Sequence, residues 1–210
     1  MIANLGKRMA LAAGVALALG ILPASAPAQA SFELHSTNFS NGSTRPLSTI
    51  FNNQVSGVNT CTANGAAGGD ESPQLSWTGA PRGTQSFVVV LYDVTASFTH
   101  WGMYNIGGNV RQLPTNAGQA GSPYGFQVEN DFDLGQQYDG PCPPASVAPD
   151  THAYVFTVYA LSTTLRLPGS ANFPTNAETL YHGLIRAGEQ GQILGTASLT
   201  GFYSSTPPAN

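Results

Sequence analysis

The sequence predicts an all-β fold, a large antiparallel β-sandwich with one or two short peripheral helices, and three observations lead there. Charged residues make up only 9% of the 210-residue chain, too few to solvate long helical faces. Its 24 glycines and 15 prolines break it into short segments separated by turns. Two runs, Ser86 to Tyr92 and Ala153 to Leu161, are rich in β-branched and aromatic residues and apolar on both faces, the pattern of central, buried strands.

Taken in order, the chain opens with Lys7 and Arg8 followed by the uncharged run Met9 to Leu22 and then Pro23. That run is too short to span a bilayer comfortably, and Ala28-Gln29-Ala30 has the small-x-small form a signal peptidase reads. Residues 1–30 are therefore expected to be a signal peptide, leaving no transmembrane span after cleavage and a periplasmic or secreted protein. Leu47 to Phe51 is expected as an edge strand, and the Gly-, Asn- and Ala-rich stretches 52–69 and 115–125 as loops. Further strands are expected at Leu75 to Trp77, Trp101 to Ile106 and Leu199 to Tyr203. One helix is signalled by the capping-box pattern Thr175-Asn176-Ala177-Glu178, with Leu180, Tyr181, Leu184 and Ile185 at helical spacing and Gly188 placed to end it. The domain is expected to run from 31 to 203, with 204–210 a disordered tail.

About 180 residues without the leader suit one domain with a sizeable core. This segment carries five arginines (Arg45, Arg82, Arg111, Arg166, Arg186) and no lysine against all eleven acidic residues, a formal charge of −6. Scattered arginines on an acidic chain give no electrostatic footprint for nucleic acid or for an anionic membrane surface. Any anion has to be caught locally, in a pocket. The only cysteines, Cys61 and Cys142, read first as one disulfide in an exported protein, stabilising by about 4 kcal/mol on the chain-entropy model. Two free buried thiols or a metal site are the alternatives, the latter lacking any paired-ligand spacing.

Polar, titratable side chains concentrate where the predicted strands end: Asp70 to Trp77, Tyr92-Asp93 with His100-Trp101, Asn130-Asp131-Phe132, and Tyr138 to Pro144 with His152-Ala153-Tyr154. Two histidines and a carboxylate at strand ends can build an anion site, because imidazoles donate N–H bonds while the carboxylate fixes their tautomer. Gly140-Pro141-Cys142-Pro143-Pro144 adds a rigid wall, since prolines lock φ, and a preformed wall lowers the entropic cost of holding a ligand.

These segments, in this order and closing on Gly195-x-x-x-Leu199-x-Gly201-x-Tyr203, resemble the phosphatidylethanolamine-binding (Raf-kinase-inhibitor-like) protein family, in particular its bacterial branch. The resemblance covers about Phe32 to Tyr203. It implies a β-sandwich with a small cavity for phosphate-like or carboxylate-like groups, lined here by Asp93, His100, Pro143, His152 and Tyr154, with Trp101 and Tyr138 as flanking contacts. The chain departs from the family where Asp93-Val94-Thr95-Ala96-Ser97 stands in place of Asp-Pro-Asp-Ala-Pro, which removes a second carboxylate and two prolines.

Three function classes are weighed. A small-anion, phosphate or phospholipid-headgroup binding protein is favoured, with no cofactor, no metal and no catalytic role. An inhibitor or interaction module acting on an extracytoplasmic protein is the second. A hydrolase using His100 or His152 with Asp93 is remote, because neither a Gly-x-Ser-x-Gly elbow nor a His-Glu-x-x-His helix is present. His182 is read as a partly buried packing residue, and His35 carries no signal.

Overall fold

The computed structural model describes residues 30–207. The expected leader, save Ala30, lies outside them. Eleven strands are present: β1 Glu33–His35, β2 Ser43–Thr44, β3 Gln54–Val55, β4 Val58–Asn59, β5 Leu75–Thr78, β6 Ser86–Asp93, β7 Phe98–Gly107, β8 Gln112–Leu113, β9 Phe126–Gln127, β10 His152–Leu161 and β11 Ile193–Tyr203. They form a six-stranded sheet in the order β2-β11-β10-β6-β7-β9, a three-stranded sheet β1-β5-β8, and the small hairpin β3-β4. All named pairings are antiparallel except β2 with β11, which is parallel.

The core lies between the two larger sheets. Alternation along β6 sends Phe87, Val89 and Leu91 inward against Leu75 and Trp77 of the small sheet. Val88 and Val90 point the other way, yet both are buried, because helix α1, Ala177–Glu189, lays Leu180, Leu184 and Ala187 over them. This is why β6 is apolar on both faces. On β10 the inward residues are buried, while on the outer face Val155, Thr157 and Tyr159 stay half-buried and Leu161 is covered with the residues under α1.

Five local expectations need correction. Leu47–Thr49 is a 3-10 turn rather than an edge strand: Pro46 sits at φ −73°, and both the amide and the hydroxyl of Thr49 donate back to the Pro46 carbonyl. The stretch 52–69 is not wholly loop, because Ser56 and Gly57 both take positive φ and close the β3-β4 hairpin. The helix cap is shifted by one residue: Asn176 and Thr179 form the reciprocal box, and the helix runs past Gly188 to Glu189. Of the tail, residues 204–206 are fastened, since the buried Ser205 hydroxyl donates to the Pro143 carbonyl and Thr206 accepts from the Ser146 amide. His182, in turn, is exposed, 3.6 Å from Glu178.

Cys61 and Cys142 are joined as a disulfide, with their Cα atoms 4.5 Å apart. The bridge ties the proline-rich loop to the segment following the hairpin. Gly140 permits a second tether: a Cβ there would stand 2.3 Å from the Thr49 carbonyl, so only glycine lets the loop lie this close to the 3-10 turn. The Phe51 amide then donates to the Pro141 carbonyl at 3.2 Å.

Candidate functional site

Strand register assembles the site. Tyr154 on β10 is paired with Asp93 on β6, and His152 lies two residues before Tyr154, so all three project to the same inner face. His100 arrives by a different device. Leu91 pairs with Trp101 but Tyr92 pairs with Thr99, which leaves His100 as the extra residue of a β-bulge in β7. The bulge lets neighbours His100 and Trp101 both be buried, His100 meeting the Tyr154 ring at 5.3 Å between centroids.

Together these side chains line a cavity of about 230 Å³. Asp93, His100, Pro143, His152 and Tyr154 border it, as do Phe98, Phe132 and Pro144. The polar groups stand on the strand side and the prolines form the opposite wall.

Each carboxylate oxygen of Asp93 has its own task. Oδ1 accepts from the amides of Thr95 and Ala96 at 2.8 and 3.0 Å, holding the tight β6-β7 turn. Oδ2 lies 2.6 Å from His152 Nδ1, and because an ionised carboxylate only accepts, Nδ1 carries the proton. The turn contains Val94-Thr95-Ala96-Ser97 and takes its shape from this carboxylate rather than from prolines.

His100 Nδ1 lies 3.0 Å from the Asp139 backbone carbonyl, which again can only accept. Burial first of all, opposed by this hydrogen bond, holds the His100 imidazole down at about 4. The ring is neutral at pH 7, with Nδ1 as the donor and Nε2 as a lone pair. Nε2 of His100 and Nε2 of His152 have no protein partner among the described residues. The Tyr154 hydroxyl, on a fully buried residue, likewise has none. Its ionisation is pushed far up, by burial first and then by the Asp93 charge.

Trp101 and Tyr138 do not flank the cavity and belong to the scaffold behind it. Trp101 is fully buried and its indole N–H donates to Gln127 at 2.6 Å. The Tyr138 hydroxyl accepts from Arg45 at 2.8 Å and donates to the Thr49 carbonyl at 2.6 Å. Burial pushes this phenol up to about 12. Arg45 is itself buried, its guanidinium 5.1 and 4.8 Å from the Phe39 and Phe156 ring centroids. Asn130 completes the scaffold, donating to Asp139 at 2.6 Å and accepting from the Phe132 amide at 2.9 Å. Phe98 and Phe132 are pocket residues that sequence reasoning missed. The signal for Phe132 was its place after Asn130-Asp131, a segment noted for its polar residues alone.

Comparison with known proteins places this geometry in context. The family model described as phosphatidylethanolamine-binding protein matches residues 30–204. The UPF0098 protein YbcL of Escherichia coli is 40% identical over 116 residues, 51% of this chain and 61% of YbcL, so the match spans about three fifths of that relative. A UPF0098 protein of Aquifex aeolicus is 33% identical over 176 residues, 81% of this chain and 87% of its own length. Among solved structures, that of E. coli YbcL, described as a new member of the mammalian PEBP family, superposes with a TM-score of 0.66 at 30% identity, covering 83% of this chain and 99% of that one.

Proposed function

The chain belongs to the phosphatidylethanolamine-binding protein family, and from that premise we propose that it is an exported binding protein that captures a small anionic group, phosphate, carboxylate or a phospholipid headgroup, in the Asp93-His100-His152-Tyr154 cavity. One observation carries the reading: a fully buried tyrosine hydroxyl and two ring nitrogens open on one cavity with no protein partner among the described residues. A buried polar atom left without a partner costs on the order of 1–3 kcal/mol, and a ligand oxygen would recover it. An anion at His152 Nε2, together with Asp93 at Nδ1, favours the doubly protonated ring, which then donates to the ligand.

The walls suit binding better than turnover. Proline and disulfide hold one side and paired strands the other, so the cavity is formed before a ligand enters. No hydroxyl is hydrogen-bonded to either cavity imidazole among the described residues, the pairing that activates a nucleophile. Export is supported by the disulfide.

The test is a titration of ring-¹⁵N-labelled protein with phosphate and with acetate, following His100 and His152. Saturable movement of both rings at millimolar anion is expected. Rings that stay unmoved would defeat the reading.

A further inference from the structure

His100 and His152 border the same cavity but are wired oppositely, and the difference bears on which anion fits. His152 gives its Nδ1 proton to a carboxylate at 2.6 Å, a partner that welcomes a second proton on the ring. His100 gives its Nδ1 proton to a neutral backbone carbonyl at 3.0 Å. It is 3% exposed, and this burial is what chiefly opposes a second proton there, with the Asp93 charge favouring one and the buried Arg45 guanidinium opposing it. With an anion bound and the second proton it draws onto His152, the site presents two donors, Tyr154 O–H and His152 Nε2–H, and one acceptor, the His100 Nε2 lone pair. An anion whose oxygens are all acceptors would set a lone pair against the lone pair of His100.

Resting on the reading of the cavity as an anion site, we propose that it selects an oxyanion that keeps a proton: a P–O–H group donating to His100 Nε2 while its other oxygens accept from Tyr154 and His152. Inorganic phosphate keeps that proton at pH 7 as either its monoanion or its dianion, whereas a phosphate monoester keeps it only as the monoanion. Sulfate lacks it, and so does the phosphodiester of an intact phospholipid. Sulfate matches phosphate in shape, so against it the discrimination comes from one hydrogen bond and the repulsion that replaces it, whereas a diester also adds bulk.

The experiment compares inorganic phosphate, sulfate and dimethyl phosphate at pH 7 by calorimetry on the wild-type protein. Phosphate is expected to bind at least about tenfold more tightly than either of the others, the loss that one mismatched buried hydrogen bond brings. Charge alone would order them differently, with the sulfate dianion at least equal to phosphate. Equal affinities, or sulfate stronger than phosphate, would overturn the proposal while leaving the anion site standing. Failure of all three to bind would defeat the anion site and the proposal with it. A long-range ¹H–¹⁵N spectrum supplies the second readout: His100 is expected to remain protonated at Nδ1 alone with phosphate bound, and a doubly protonated His100 would also overturn the proposal.

Discussion

Tyr138 and Tyr154 are both buried, the one packed on Trp101 and the other on His100, and their hydroxyls are treated in opposite ways. Tyr138 belongs to the scaffold behind the cavity, where its oxygen both accepts from Arg45 and donates to Thr49. Tyr154 belongs to the cavity, where its oxygen has no hydrogen-bond partner among the described residues. The scaffold's hydrogen-bonding capacity is largely satisfied internally, Asn130 and Gln127 joining Tyr138 in this, although Arg45 Nη1 also lacks a partner. Around the cavity, the outer atoms of His100, His152 and Tyr154 remain open. Burial alone does not separate site from scaffold, then, since both tyrosines are hidden from solvent; what separates them is where their polar atoms are committed.

The contrast can be broken at several points. The largest effect is expected where the two regions share a tether: Cys61→Ala with Cys142→Ala is expected to lower stability by about 4 kcal/mol and to loosen the proline wall, read by denaturant unfolding. Next comes Tyr138→Phe, which strips a partner from the buried Arg45 and is expected to cost about 2 kcal/mol. The same deletion at Tyr154 removes an oxygen that the fold does not use. Tyr154→Phe is expected to leave stability unchanged or raise it by up to about 1 kcal/mol, and an equal loss at both tyrosines would erase the distinction.

The last contrast concerns pH. Burial holds His100 at about 4 in the fold against an ordinary 6.5, so its contribution is complete above 6.5 and is lost as pH falls through 4. Burial raises Asp70, which accepts the Gly140 amide at 2.7 Å, to about 6 against 3.8, so its contribution is complete below 3.8 and is lost as pH rises through 6. Between 4 and 6 the two oppose one another. Asp70→Asn removes one of them, and the variant is expected to lose stability more steeply than wild type on acidification from pH 6.5 to 4, as melting temperatures would show.

Much of this was legible in the chain. The alternating β-branched and aromatic runs marked β6 and β10, and the strand-end residues Asp93, His152 and Tyr154 follow from those strands once their register is known. The bulge that turns His100 inward leaves no mark in a string of letters, because it depends on a slip against Leu91 and Tyr92 on the neighbouring strand. For the same reason Trp101 and Tyr138 looked like ligand contacts: an aromatic next to a site residue can face the cavity or the core, and only pairing decides. The Leu47 to Phe51 strand failed on local chemistry, where Pro46 and the Thr49 hydroxyl favoured a turn over an apolar pattern.

One measurement bears most directly on the division between cavity and scaffold: phosphate affinity of Tyr154→Phe and Tyr138→Phe side by side, each under conditions where it is fully folded. Tyr138→Phe is expected to bind as wild type does and Tyr154→Phe about tenfold more weakly. Undiminished binding by Tyr154→Phe, or its loss in the folded Tyr138→Phe protein, would contradict the account.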